Sequence, residues 1–262
     1  LDRTEGGTEM IGGVHKWIMP SNWKFAPENF GGDGYHIGWT HLSALKTGFG
    51  SVTRIRQAQE GTTGFPGNLL SPGTGHCIIS REGFADIDPP IPEIYAYEES
   101  IRSEVRQRMG ERSELSSPIV GTIFPNLSFI RTIAREFRVW HPRGPTSTEI
   151  WSWSLVDKAA PPEIKDAFRL AALRTFSPGG TFEQDDMENW QYCTDTSRIR
   201  ALNNSPMNFQ MGLKRERFRE EFGALASDYI ISETTQRGFY DFWGKIMAAE
   251  KWDQIDRSPY SV

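Results

Sequence analysis

Two short segments hold most of the residues able to do chemistry. ENFGGDGYHIGWTH, residues 28–41, sets an amide, two carboxylates and two histidines among aromatic rings and glycines. EQDDMENW, residues 183–190, is an acidic run with Phe182, Met187 and Trp190 supplying an apolar side. Two neutral imidazoles hold a divalent cation well only with an anionic partner, and the second segment offers one. Two histidines and one carboxylate suit non-haem iron(II) chemistry with open positions for O₂, and equally a catalytic zinc. HExxH, the usual mark of a zinc hydrolase, is absent.

On an ideal helix Asn29, Asp33, His36 and Thr40 fall within about 60° of one another, a narrow polar stripe. His36 and His41 fall about 140° apart and could not share an ion. A break or π-bulge between them is therefore expected, and Gly34 and Gly38 make it cheap. Asp185 and Asp186 are adjacent, so at most one faces the site, and the other suits the helix dipole as a first-turn acid. A carboxylate amid Phe182, Met187 and Trp190 is costly unless paired or bound to a cation. His15, His76 and His141 read as ordinary core or surface residues. Cys77 and Cys193 sit in no CxxC or CxH setting, so neither a disulfide framework nor a cysteine-held cluster is expected.

These segments need a frame. The chain has 262 residues and a net charge of −5, with no basic stripe, which argues against nucleic acid. No apolar run approaches the roughly 20 residues that cross a bilayer. No signal peptide is visible, and a reducing cytoplasm is the expected compartment. GVHKWIMPSNW reads as a strand ending near Pro20, and residues 23–46 as one helix weakened by glycines. Residues 47–73, rich in Gly, Pro and Thr, read as a loop. GHCIISREGFADI suggests a strand and turn, and IPEIYAYEESIRSEVRQRMG a surface helix closed by Gly110. PIVGTIFPNLSFIRT, REFRVWHPRG and TEIWSWSLVDK read as three consecutive strands. PPEIKDAFRLAALRTFSPGG is helical, with proline at its start and glycine past its end. The next helix begins at TFEQDDMENWQYC with capping-box spacing from Thr181 to Gln184. SETTQRGFYDFWGKIMAAEKW is an amphipathic C-terminal helix. One α+β domain over residues 1–262 follows, an antiparallel sheet wrapped by helices.

With those residues in view, NFGGDGYHIGWTH resembles the mononuclear-iron motif of the Rieske-type aromatic ring-hydroxylating dioxygenases, large (α) subunit. LDRTEGGTE, NWKFAPENF, FPNLSF, VWHPRGP and FEQDDMENW are similar to that family in the same order, closest to its naphthalene and biphenyl group. The resemblance spans nearly the whole chain and is weakest over residues 46–73. It implies a helix-grip, START-like catalytic domain with Fe(II) held by His36, His41 and Asp186. It implies that Asp33 bridges a ligand histidine to a neighbouring subunit's Rieske cluster, that Asn29 lies near the iron, and that Tyr35 supports the site from behind. Phe30, Gly34, Ile37, Leu45, Phe176 and Phe182 are the expected substrate walls. Gly34 is expected to leave room for fused rings.

The family's paired Cys–His Rieske [2Fe–2S] motif is missing, and the chain opens with Leu1 in a segment like the one after that domain. A catalytic domain without its Rieske domain is the expectation. The resemblance implies cis-dihydroxylation of a polycyclic aromatic hydrocarbon by O₂, with electrons from NADH through a reductase, a ferredoxin and the Rieske cluster. It also implies an α3β3 hexamer. The residues alone leave open a Rieske monooxygenase or demethylase, a zinc-dependent hydrolase, and a non-enzymatic apolar-ligand carrier.

Overall fold

The computed structural model describes residues 1–44, 46, 66–81, 91–111, 113, 117–132, 134–202 and 204–257. Leu45 and residues 47–65 of the expected loop lie outside that set.

A nine-stranded antiparallel sheet among these residues forms the frame. Its strands are β1 (Thr8–Met19), β2 (Pro66–Ser71), β3 (Cys77–Arg81), β4 (Ser117–Ile123), β5 (Leu127–Arg131), β6 (Arg135–Gly144), β7 (Ser147–Asp157), β8 (Arg217–Arg219) and β9 (Ala224–Tyr229), in the order β1-β7-β6-β5-β4-β3-β2-β9-β8. The helices are α1 (Phe25–Gly32), α2 (Ile37–Thr40), α3 (Leu42–Ala44), α4 (Pro92–Met109), α5 (Pro162–Thr175), α6 (Thr181–Ser197) and α7 (Thr234–Ala248). The α+β expectation holds.

The expected three-strand run is four strands, because PIVGTIFPNLSFIRT turns at residues 124–126 and pairs with itself, Val120 opposite Ile130. Asn126 closes the turn by donating to the Trp140 carbonyl, and His76 accepts from the Phe124 amide, a structural role for that histidine. On β7 the buried face is Thr148, Ile150 and Ser152, while Trp151 and Trp153 stand on the half-exposed side with Lys16 over the Trp151 ring. Part of the expected loop is instead β2. Its Leu69 and Leu70 are buried between β3 and β9, and burial of that pair outweighs the flanking turn residues.

Helix α1 lies across β3, β4 and β5 with α7 beside it. Glycine permits this close approach. A Cβ on Gly31 would lie 2.9 Å from the Cys77 Cβ, and one on Gly32 would lie 1.7 Å from the Thr235 hydroxyl. Thr122 on β4 anchors the helix by donating to the Pro27 carbonyl. Behind it, Phe30, Trp140 and Trp190 pack edge to face with Met19, Ile150, Phe176 and Phe182 in one core.

Helix α6 starts from Gly180, not from a capping box. Gly180 is the N-cap and no side chain caps the helix. A Cβ at Gly180 would lie 2.4 Å from the Thr175 carbonyl, so glycine is needed where the chain passes from α5 into α6, and Thr181 falls inside the first turn rather than at the cap.

Candidate metal centre

The expected helix over 23–46 is three pieces. Helix α1 stops at Gly32, the chain turns through 33–36, and α2 makes a single turn with His36 at its start and His41 at its end. The polar stripe drawn on a continuous helix therefore does not exist. The break precedes His36 and recurs at His41, and it turns two imidazoles that an ideal helix would splay onto one point. His36 Nε2 and His41 Nε2 are 3.2 Å apart. Asp186 Oδ1 is 3.2 Å from His41 Nε2 and 3.4 Å from His36 Nε2. Donors about 2.1 Å from one centre lie about 3.0 Å apart at right angles and about 3.4 Å apart in a tetrahedron.

The donor set fits a cation for a second reason. Asp186 is buried, and its Oδ1 has no hydrogen bond. A buried carboxylate oxygen without a donor is strongly disfavoured unless a positive charge faces it. Each imidazole also presents a bare Nε2, because its Nδ1–H is used elsewhere. His36 Nδ1 donates to the Asp33 carbonyl, with the Asp33 carboxylate 3.4 Å away. His41 Nδ1 donates to Asp185 Oδ2 at 3.2 Å. A carboxylate behind each ligand histidine fixes its tautomer and raises its basicity. With no cation there, a proton takes its place on an imidazole: burial alone would push the Asp186 carboxyl up, yet the histidines so charged hold it well below the usual carboxylate range. Burial works downward on His36, and the Asp33 and Asp186 carboxylates draw it well above its ordinary value.

Asp185 thus does more than answer the helix dipole, since it reaches His41. Adjacent acids on a helix point apart, but α6 meets the His41 ring at an angle that lets both reach it, one at each nitrogen. Asn189 adds a further tie by donating to the Thr40 hydroxyl at 2.9 Å. Asn29 donates to Asp33 Oδ2 at 3.3 Å and so steadies the acid behind His36. Tyr35 is half-buried; burial, then the Asp33 carboxylate, pushes its phenol up.

The expected wall residues divide. Phe182 packs edge-on to the His41 ring at 4.8 Å and against Phe176 at 5.4 Å. Ile37 lies half-buried against the same core. Phe30 is buried between Trp140 and Trp190. The space before Gly34 is not open: a Cβ there would lie 2.6 Å from the Ile230 carbonyl, so this glycine lets the 33–36 turn sit against Ile230 and makes no room for a ring. Leu45 lies outside the described residues.

Sequence reasoning also missed a buried charge network beside the ligand helix. Arg138 on β6 donates to Glu136 Oε2 at 2.8 Å, to Glu183 Oε2 and to the Phe176 carbonyl, and Ser152 donates to Glu136 at 2.8 Å. The signal was there: in EFRVW, Glu136 and Arg138 share a strand face with Trp140, a core position that charge occupies only with partners.

A large antiparallel sheet backed by helices brings two histidines and an aspartate together as a candidate metal site beside the Phe182 ring. The chain matches the model of the ring hydroxylating alpha subunit (catalytic domain) over residues 9–249 and belongs to that family. It is 38% identical to the biphenyl dioxygenase alpha subunit of Paraburkholderia xenovorans (strain LB400) over 258 residues, covering 96% of this chain and 56% of that protein. It is 36% identical to a benzene 1,2-dioxygenase alpha subunit of Pseudomonas putida over 261 residues, covering 97% of this chain and 58% of that one. The naphthalene 1,2-dioxygenase of Rhodococcus sp. bound to indole superposes with a TM-score of 0.80 at 29% identity, over 96% of this chain and 59% of that one. The chain therefore spans just under three-fifths of these relatives.

Proposed function

We propose that this chain is the catalytic domain of an aromatic-ring dioxygenase, with Fe(II) on His36, His41 and Asp186. The observation that carries the reading is the buried triangle of two bare imidazole nitrogens and one unpaired carboxylate oxygen. When bound, the iron supplies O₂ activation, and three protein ligands leave coordination positions free for it. The side chains do the rest. Asp33 and Asp185 hold the imidazoles, and Asp33, whose side chain is partly exposed, also offers a route for an electron from a neighbouring subunit. Phe182, backed by Phe176, covers one side of the His41 ring with apolar surface, which excludes water and suits a flat hydrocarbon.

The substrate class is an aromatic hydrocarbon, the reaction cis-dihydroxylation, and the electron route NADH, reductase, ferredoxin and a Rieske [2Fe–2S] cluster in a domain outside this sequence. The assembly is an α3β3 hexamer in the cytoplasm. Among the described residues no helix is long and apolar enough to cross a membrane. Biphenyl dioxygenase relatives make a two-ring substrate the first to test, although Gly34 no longer argues for one. The test runs ¹⁸O₂ with biphenyl, naphthalene and benzene in cells carrying the complete α subunit and its electron-transfer partners. Both labelled atoms in a dihydrodiol support the reading. One labelled atom, or turnover with zinc and no O₂ uptake, overturns it.

A further inference from the structure

Two buried carboxylates, Glu183 and Glu136, share one buried guanidinium, Arg138, and a third buried carboxylate, Asp186, lies on the same helix as Glu183. Glu183 is fully buried and lies three residues before Asp186 on α6, on the same helix face. Its Oε2 is gripped by Arg138, while its Oε1 has no hydrogen-bond partner. Arg138 also holds Glu136 and the Phe176 carbonyl, so it joins β6, the end of α5 and the start of α6 at a single point. We propose that Glu183, clamped by Arg138, is a positioning residue for the metal site: it fixes the first turn of α6 so that Asp186 meets the two histidines, and it supplies buried negative charge that a divalent cation neutralises.

The charge count supports this. Two buried acids face one guanidinium at Arg138, which leaves one negative charge unmatched there, and such a charge is costly in the interior. A divalent ion on Asp186 would bring positive charge to the same face of α6, where Asp33 and Asp185 add further negative charge behind the histidines. Burial pushes the Glu183 carboxyl up to about 7 against the pull of Arg138, with Asp186 and Glu136 adding to the rise. That is the signature of a carboxylate short of positive charge.

The proposal rests on the metal site of the preceding section, and its test separates the two. Wild type and Glu183→Gln are titrated anaerobically with Fe(II), and with Co(II) as a coloured probe, and the melting temperature of each metal-free protein is recorded. Glu183→Gln is expected to bind both ions at least roughly tenfold more weakly, while its metal-free form melts at the same or a higher temperature because a buried like-charge pair is relieved. Packing loss alone would lower both together, and that outcome, or affinity within about threefold of wild type, overturns the proposal. Wild type that binds neither ion sinks the site itself. If Glu183→Gln fails to fold, Glu136→Gln decides by the same two readouts, since it removes one negative charge from the other side of Arg138.

Discussion

Asp185 gives the most direct check on how the site is held, because replacing it with asparagine keeps the shape and removes the charge. Asparagine can still accept from His41 Nδ1 through its carbonyl oxygen, so the ring keeps its tautomer. The carboxylate oxygen lies 3.2 Å from Nδ1. With the imidazole and a bond of about 2.1 Å beyond it, the negative charge stands about 7 Å from a bound cation. A unit charge and a divalent ion at that separation attract by about 5 kcal/mol at an effective dielectric of 20 and about 1 kcal/mol in bulk water. The Asp185 side chain is 27% exposed, which places it between those limits and nearer the screened one. About 2 kcal/mol results, a loss of roughly 30-fold in metal affinity, inside the range seen when the partner of a ligating histidine is removed.

Competition with a chelator of known affinity, under anaerobic conditions, reads that loss directly. The metal-free melting temperature should hardly move, because the half-exposed acid contributes little packing. Affinity unchanged within about threefold would refute the orienting role of Asp185 and leave it as a solvated helix acid. A collapse in the metal-free melting temperature would show that the contact is structural.

Two further predictions concern the frame. Gly32→Ala drives a methyl to within 1.7 Å of the Thr235 hydroxyl and 2.9 Å of its Cβ, so α1 and α7 must part; a loss of about 3 kcal/mol is expected in denaturant unfolding, with metal affinity falling too because the 33–36 turn follows directly. Glu28, which accepts from the Tyr240 hydroxyl, is pushed up to about 7 mainly by burial, with the Asp33 and Glu233 carboxylates adding. Its folded value lies above its unfolded value, so it costs stability as pH rises from about 4.5 through 7; Glu28→Gln should gain on wild type by up to about 3 kcal/mol between pH 5 and 8, and a gain that does not grow with pH would refute the assignment.

Sequence patterning reached the parts of the fold whose burial follows a period. The strands of 117–157, the proline-led start of α5, and α4 closed by Gly110 are legible because side-chain alternation and chain-breaking residues act locally. Strands β2, β8 and β9 escaped, since each is six residues or fewer and gains its partners only from distant chain. The proposed ligands were legible in type, but choosing Asp186 over Asp185 needed the family motif, because one residue along a helix decides direction and no local rule fixes how α6 is rotated. The glycines misled. Gly34 read as space for a substrate, and Gly31 and Gly32 as weakness, whereas all three are places where another chain segment comes too close for a side chain.

That last point joins the fold to the site. The glycines bring α1 hard against β3 and α7, which forces the helix to end at Gly32 and leaves the four residues 33–36 to turn back along Ile230. The turn aims His36, and the single turn of α2 then returns His41 to the same side. From the opposite direction, Gly180 and the Arg138 clamp fix where α6 begins, and so where Asp186 points. The two arms share no covalent neighbour and meet at His36, His41 and Asp186, with Asp185 on His41, Asn189 on Thr40 and Phe182 on the His41 ring beside them, so their contact is held by charge as much as by packing. A cation at that meeting point would tie the arms together.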